Sequence, residues 1–512
     1  MKCNRLFAAL GSLLLAVGGL FYLIYFYAFA FPVNSDNMYF VRAAEDVLKG
    51  NLLLRHWSGG FFSGLTTDIL WAALLRSVVS RKVTLYLIGP LSLVLIGIVS
   101  MYLIRQLSPE KLLPGGLVVA AMIAVPVALR HPMLTVGMHN IAILVILALF
   151  LSLYELSKGK SCSASFWATG YGILLFAGVF GDGFVLYYFA IPCIIAGGLH
   201  FFSEPKQKLM FLRLGTVMIS GAALVALNQM QRAGFLQLQS TGSSLISPAE
   251  VGKYVINGVD TWLQLFGFKL ALLREGLAQS IFAWAGLPAS FLVMGCVLSF
   301  LPSFFKQNLT IKTMLLSFIF VFGSFVLTEV THAEPAYRYL SPAFYSGLVL
   351  TGIRINSMSL NPHGRTSWLL LLPLLIFSAG NFSFHYRSSP VIDKGLVELA
   401  DSLKDRGISH VYATYWESHA LNYYADDLVQ AAPITAENGG IISYAWSADE
   451  RWYQPAFGAQ TLIVGKYKPY GLTESLLVSQ LGAAEDRLEL QDRIVYFYGF
   501  NLSEKIEPLG KE

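Results

Sequence analysis

Apolar runs of bilayer length recur along this 512-residue chain until about residue 384, which leaves little room for any fold but a polytopic helical one. A spanning helix takes about 20 predominantly apolar residues, because in hydrocarbon only a helix or closed barrel satisfies its own backbone. About eleven such runs occur, near residues 7–31, 83–104, 113–129, 139–156, 165–181, 184–203, 209–227, 278–304, 313–328, 339–354 and 367–384. Only 13% of the chain is charged and its mean hydropathy is +0.58; an average soluble domain carries roughly 25% charged residues. The first run follows Lys2 and Arg5 and ends near Ala28-Phe29-Ala30, as a signal peptide would. Its apolar stretch exceeds the roughly 7–15 residues of a signal core, so it reads as a retained anchor.

Cations set the expected orientation. Lys2 and Arg5, Arg105 and Lys111, Lys158 and Lys160, Lys206, Lys208 and Arg213, Lys306 and Lys312, and Arg354 and Arg365 mark one set of span ends. The opposite short loops hold Arg130, the turn Gly181-Asp182-Gly183 and Arg338. Cationic short loops stay in the cytoplasm, so the N-terminus is expected inside and the C-terminal segment outside. The net charge of +5 reflects this bias and gives no support for nucleic-acid binding. Cys3, Cys162, Cys193 and Cys296 all fall in spans or at cytoplasmic ends, so none staples the exterior segment and none has metal-ligand spacing.

The expected organisation is a transmembrane domain over 1–384 and a small exterior α/β domain over 385–512, where the composition turns soluble. The transmembrane part carries a first exterior loop, 32–82, and a second, 228–275. In the first, Asn34 or Ser35 caps a helix whose apolar positions Met38, Val41, Ala44 and Leu48 recur at three- and four-residue steps, with Gly50 as its stop. Residues 61–79 read as an amphipathic interfacial helix, since counting them as a span would put the Lys158, Lys206 and Lys306 clusters outside. A second interfacial helix is expected over 255–273. In the last domain the pattern predicts a helix over 394–406, strands over 410–414, 428–432, 461–464, 487–490 and 494–498, and a helix near 473–481.

Asp36 follows the first span by five residues, at the expected membrane–water boundary. An acid in the first turn of a helix is favoured by the dipole alone, so position by itself leaves capping and chemistry level. No phosphate-binding loop, dinucleotide fingerprint, HExxH or paired CxxC is present, which argues against ATP-driven transport, soluble redox chemistry and a zinc site of those kinds.

The segment SDNMYFVRAAEDVLKGN, residues 35–51, resembles the first exterior loop of the GT-C superfamily of membrane glycosyltransferases, as in aminoarabinose transferases of lipid A and protein O-mannosyltransferases. Asp36, Tyr39, Ala43, Leu48 and Gly50 match its acid-then-helix pattern, and 61–79 matches its second interfacial helix. Residues 398–427 look like the tail domain of many bacterial members. The resemblance implies a sugar donor on a polyprenyl phosphate, an acceptor hydroxyl on a glycan, lipid or protein, and Asp36 as general base in an inverting displacement. It also implies a bacterial inner membrane with the site and C-terminal domain on the periplasmic side.

Further substrate-binding candidates are Tyr39, Arg55 and His56 in the first loop, His131 and His139 in the 130–140 loop, and Asp182. Arg338 and Tyr339 join them in the loop that also holds Glu329, His332 and Glu334. Superfamily members often set a basic residue near Arg338 against the donor phosphate, and an arginine fork suits that contact. Many relatives have a second acid in the 130–140 loop; here His139 stands at about that place, and the missing acid argues against the divalent cation that some relatives use. Each of these polar residues also has a structural reading, as turn former, interfacial anchor or water-satisfied histidine. Tyr415 and Trp416 likewise read as aromatics packed at a strand end. The alternatives to an enzyme are a lipid-linked sugar flippase and a catalytically silent scaffold of the same fold.

Overall fold

A computed structural model describes residues 17–60, 62–108, 112–137, 139–158, 164–203, 207–239, 244–268, 281–329, 336–358, 365–381, 389–437, 439–444, 446–467 and 469–506. Contacts divide the chain into two units. One comprises Met1–Ala28, Gly89–Ala226 and Gly242–Tyr386; the other comprises Phe29–Ile88, Leu227–Thr241 and Arg387–Glu512. Several residues of the sequence reading lie outside the described residues, namely Lys2, Arg5, Lys111, Lys160, Lys206, His332, Glu334, Cys3 and Cys162.

The first unit is helical. Among the described residues, six helices are long and apolar enough to cross a membrane: Arg81–Leu107, Asn140–Lys158, Ala164–Gly181, Gly183–Phe201, Met210–Arg232 and Leu309–Leu327. Trp284–Leu298 and Leu371–Asn381 are shorter apolar helices, and Ser341–Met358 is buried along most of its length. Their seams rely on close approach. A Cβ placed on Gly89 would lie 2.3 Å from the carbonyl of Leu134, and one on Gly286 would lie 1.8 Å from the carbonyl oxygen of Phe266. Small residues at such points let backbones meet where lipid supplies no hydrophobic drive. Lys312, counted above among the cations at span ends, is fully buried with its Nζ 2.7 Å from Nδ1 of His200. Its ammonium therefore serves the helix seam and not the bilayer surface.

The second unit is built on a six-stranded sheet. Its strands are β3 (His410–Thr414), β4 (Gln430–Glu437), β5 (Gly440–Ser443), β7 (Thr461–Gly465), β8 (Asp486–Leu490) and β9 (Arg493–Phe497), in the order β5-β4-β3-β7-β9-β8. β3 runs parallel to β4 and β7, with Val411 opposite Ala431 and Thr461; the outer strands are antiparallel. The helix Lys394–Asp405 is capped by Asp393, whose carboxylate accepts the N–H of Leu396 at 2.9 Å. It lays Leu396, Leu399 and Leu403 on Val411, Ala413 and Val495. Burying each such leucine is worth about 1.5–3 kcal/mol. The sequence pattern missed the helix Tyr415–Tyr424 and strand β5, and its fourth-strand segment begins two residues later than expected.

A smaller sheet joins three distant stretches. β1 (Trp57–Gly59) pairs in parallel with β2 (Gln237–Leu238) and antiparallel with β6 (Ala448–Asp449). The helix Ser35–Leu48 packs on the helices Tyr415–Tyr424 and Leu70–Arg76. The segment expected as an interfacial helix over 61–79 is a π turn, Leu65–Ile69, leading into the α-helix Leu70–Arg76. Twelve helical residues reach about 18 Å, short of the roughly 30 Å hydrocarbon core. In the second exterior loop the helix is Val251–Leu265, and 269–280 lie outside the described residues.

Candidate active site

The first turn of the helix Ser35–Leu48 separates two jobs that the sequence left level. Asn34 is the N-cap: its side chain accepts the N–H of Asn37 at 3.1 Å, and Asn37 returns the bond to Asn34 N–H at 3.0 Å. This reciprocal box satisfies the orphan donors, so Asp36 is not needed to cap. Its Oδ1 instead accepts the hydroxyl of Tyr415 at 2.5 Å. Ser35 ties the same two elements, its hydroxyl 2.5 Å from the carbonyl of Tyr415 and accepting the N–H of His419 at 3.2 Å.

Tyr415 opens its helix directly after β3, so the parallel centre of the sheet aims it. Burial, then the Asp36 carboxylate, pushes its phenol well above the usual range, which keeps it a donor. Tyr444 and Tyr470 complete an aromatic wall, with ring centroids 5.1 and 6.4 Å from that of Tyr415. A partly buried carboxylate among phenols can accept a proton, and such aromatic faces suit sugar rings. His419 is buried, and its Nε2 lies 2.6 Å from the carbonyl of Ser447. Burial, helped by the positive charge of Arg42, holds its imidazole down to about 3, so it is neutral.

Tyr39 is buried, its ring 5.7 Å from Trp57 and 6.1 Å from His419. It is packed into the core of this unit. Arg55 and His56 are exposed on the turn before β1; Asn51 holds the Arg55 N–H at 2.8 Å, and His56 lies 3.7 Å from Glu450.

In the helical unit the structure brings together four residues singled out from sequence. Nδ1 of His139 lies 2.6 Å from Oδ2 of Asp182, and both side chains are almost fully buried. Asp182 also caps the next helix by accepting the N–H of Phe184 at 2.9 Å. The His139 ring stacks on Phe184 at 3.9 Å, Phe184 lies 6.0 Å from Tyr339, and Arg338 donates to the Tyr339 hydroxyl at 2.8 Å. A carboxylate on Nδ1 fixes the orientation of an imidazole and leaves Nε2 for a second partner. The π turn Leu186–Ala190 begins four residues past Asp182, and π turns often accompany functional sites.

Arg130 serves the backbone, and of His131 the main chain takes part in a turn. Arg130 donates to the carbonyl of Asn381 at 2.5 Å and lies over Tyr27 at 4.5 Å, while the carbonyl of His131 accepts from Thr135 at 2.7 Å. Among the described residues no three His, Cys, Asp or Glu side chains converge, so no donor set for a resident divalent ion is assembled. Sequence reasoning gave Tyr415 only a packing role and missed Tyr444, Tyr470 and Arg42, since their roles arise from pairings far apart in sequence.

No family model and no curated protein matches the sequence. Among solved structures, the chain is similar to an oligosaccharyltransferase of Archaeoglobus fulgidus in complex with zinc and sulfate. That match has TM-score 0.54 and 12% identity, and covers 88% of this chain and 68% of that one. It is also similar to the archaeal oligosaccharyltransferase AglB of the same organism, bound to an inhibitory peptide and a dolichol-phosphate. There the TM-score is 0.52 and the identity 11%, over 90% of this chain and 70% of that one. At this identity the likeness is one of fold.

Proposed function

We propose that the chain is a GT-C-type membrane glycosyltransferase. It moves a sugar from a polyprenyl-phosphate-linked donor to an acceptor hydroxyl at the periplasmic face of a bacterial inner membrane. The observation that carries this reading is Asp36: its capping duty is taken by Asn34, and its carboxylate is turned onto Tyr415 beside an aromatic wall. The fold likeness to an oligosaccharyltransferase whose structure includes a dolichol-phosphate and a peptide supports a lipid-linked donor. Asp36 acts as general base on the acceptor hydroxyl, which attacks the anomeric carbon in line and inverts it. The leaving group is already a phosphate, so the protein's work is positioning and charge balance. Arg338, steadied by Tyr339, is the donor-phosphate contact, and the His139–Asp182 pair is the second polar candidate.

Membranes holding the full chain should release polyprenyl phosphate from a polyprenyl-phosphate sugar when an acceptor glycan is present. Asp36→Asn should lower this release by about 10²–10⁴-fold, the usual worth of a general base, with extraction and melting unchanged. Full transfer by a destabilised Asp36→Asn would return the residue to a structural role. Movement of the lipid across the bilayer without release of polyprenyl phosphate would favour the flippase, and neither activity would favour the silent scaffold.

A further inference from the structure

The helix Ser35–Leu48 lines a second feature of its unit, a cleft of about 560 Å³ whose walls include Arg42, Lys49, Trp57, Gln430 and Trp452. Its acids are all committed. Glu45 pairs with Arg76 at 2.9 Å and Arg81 at 2.5 Å, and Arg81 also holds Asp427 at 2.5 Å. Arg451 binds Asp449 and lies 3.0 Å from Asp46, which also accepts the Trp57 indole N–H at 2.8 Å.

Arg42 differs from its neighbours. Its guanidinium lies 4.5 Å over the ring of Trp452, and its buried Nη1 has no hydrogen-bond partner among the described residues. Burial lowers its pKa to about 10 against the opposing charges of Asp427, Glu45 and Asp449, whereas hydrogen-bonded carboxylates raise those of Arg81 and Arg451. Lys49, exposed at the helix end, makes no ion pair among the described residues. The lining holds four cations, Arg42, Lys49, Arg81 and Arg451, and four carboxylates; the carboxylates are all ion-paired, and among the described residues Arg42 and Lys49 are the lining cations that make no salt bridge. An arginine with five donors in a fixed fork, stacked on an aromatic ring and in no salt bridge, is arranged to receive an oxyanion. The Gln430 side chain at the wall offers an acceptor for a hydroxyl, which a bare anion would not use.

We propose that this cleft binds an anionic sugar, with Arg42 gripping a carboxylate or phosphate group and Lys49 assisting from the rim. The site does not depend on the transfer chemistry assigned to Asp36, and direct binding tests it.

The full chain in detergent is titrated at constant ionic strength with glucuronate, glucose 6-phosphate, inorganic phosphate and glucose, while tryptophan fluorescence is followed. Glucuronate or glucose 6-phosphate should give a saturable change, and glucose none. Arg42→Ala should weaken binding at least about tenfold, as expected for a charged hydrogen bond, Arg42→Lys should do so less, and the exposed Lys49→Ala by several-fold. The lysine variants keep the test valid if Arg42→Ala does not fold. No saturable change with either sugar anion overturns the proposal. So does equal binding of glucose, binding of inorganic phosphate as tight as that of the sugar anions, or indifference to all three substitutions.

Discussion

Tyr415 and Asp36 lie 379 positions apart and share one hydrogen bond. If the phenol holds the base in place, Tyr415→Phe should lower kcat about tenfold with little change in acceptor KM, since the bond acts on the reacting carboxylate and not on ground-state binding. Added to Asp36→Asn it should cost little more, because residues that act as a unit are non-additive. Additive losses in transfer assays would make Tyr415 an independent packing residue. His419 sets a pH limit on the same unit. Its imidazole titrates at 6.5 in a free chain and at about 3 when buried, so between those values the unfolded chain holds the extra proton. Stability should therefore be complete above about pH 6.5 and fall as the pH drops toward 3, by up to about 1.4 kcal/mol per pH unit. His419→Gln should flatten that slope in melting curves between pH 7 and 4; an unchanged slope would assign the acid sensitivity to other groups.

Individual helices show how the same residue type reads differently by location. Gly89 and Gly221 both sit in apolar helices, where alanine is worth up to about 1 kcal/mol more than glycine. A Cβ on Gly221 meets nothing within 4 Å, but one on Gly89 meets the backbone of Leu134 at 2.3 Å. Gly221→Ala should thus leave the melting temperature of the detergent-solubilised chain unchanged or raise it. Gly89→Ala should lower it by the equivalent of about 1–3 kcal/mol, the usual cost of overpacking. A stabilising Gly89→Ala would remove the tight seam from the helical unit. The helix Ser35–Leu48 is more demanding, because its turns carry different duties: Asn34 caps it, Asp36 meets Tyr415, Tyr39 packs inside and Arg42 covers Trp452.

Across the whole molecule, lipid is the missing solvent. The helix Met210–Arg232 leaves Phe211 66%, Met218 72% and Val225 61% exposed, a surface that water would penalise and acyl chains would cover. Burial of Lys312 removes one cation from the set that fixed the expected orientation, yet Arg105, Lys158, Lys306 and Arg354 still mark the same ends. A periplasm-active reporter fused after Glu512 should therefore be active and one at Lys206 silent. Activity at Lys206 would make residues 61–79 part of a span and invert the later loops.

Membrane class, the first-loop helix with its cap, and most of the last domain's strands were legible because they follow from local pattern: run length, three-and-four spacing, alternation. The helix Tyr415–Tyr424 was not legible, since its aromatic start reads as a strand end and its packing against β4, Ser35–Leu48 and Lys394–Asp405 is set by the tertiary fold. The pairing of His139 with Asp182, 43 residues away, was equally hidden, although each residue had been singled out alone. Local periodicity determines which segments are helices, strands or spans, because it depends only on a residue's near neighbours and its solvent. Which carboxylate meets which donor is decided by chain folding over hundreds of residues, and no single-sequence pattern records it.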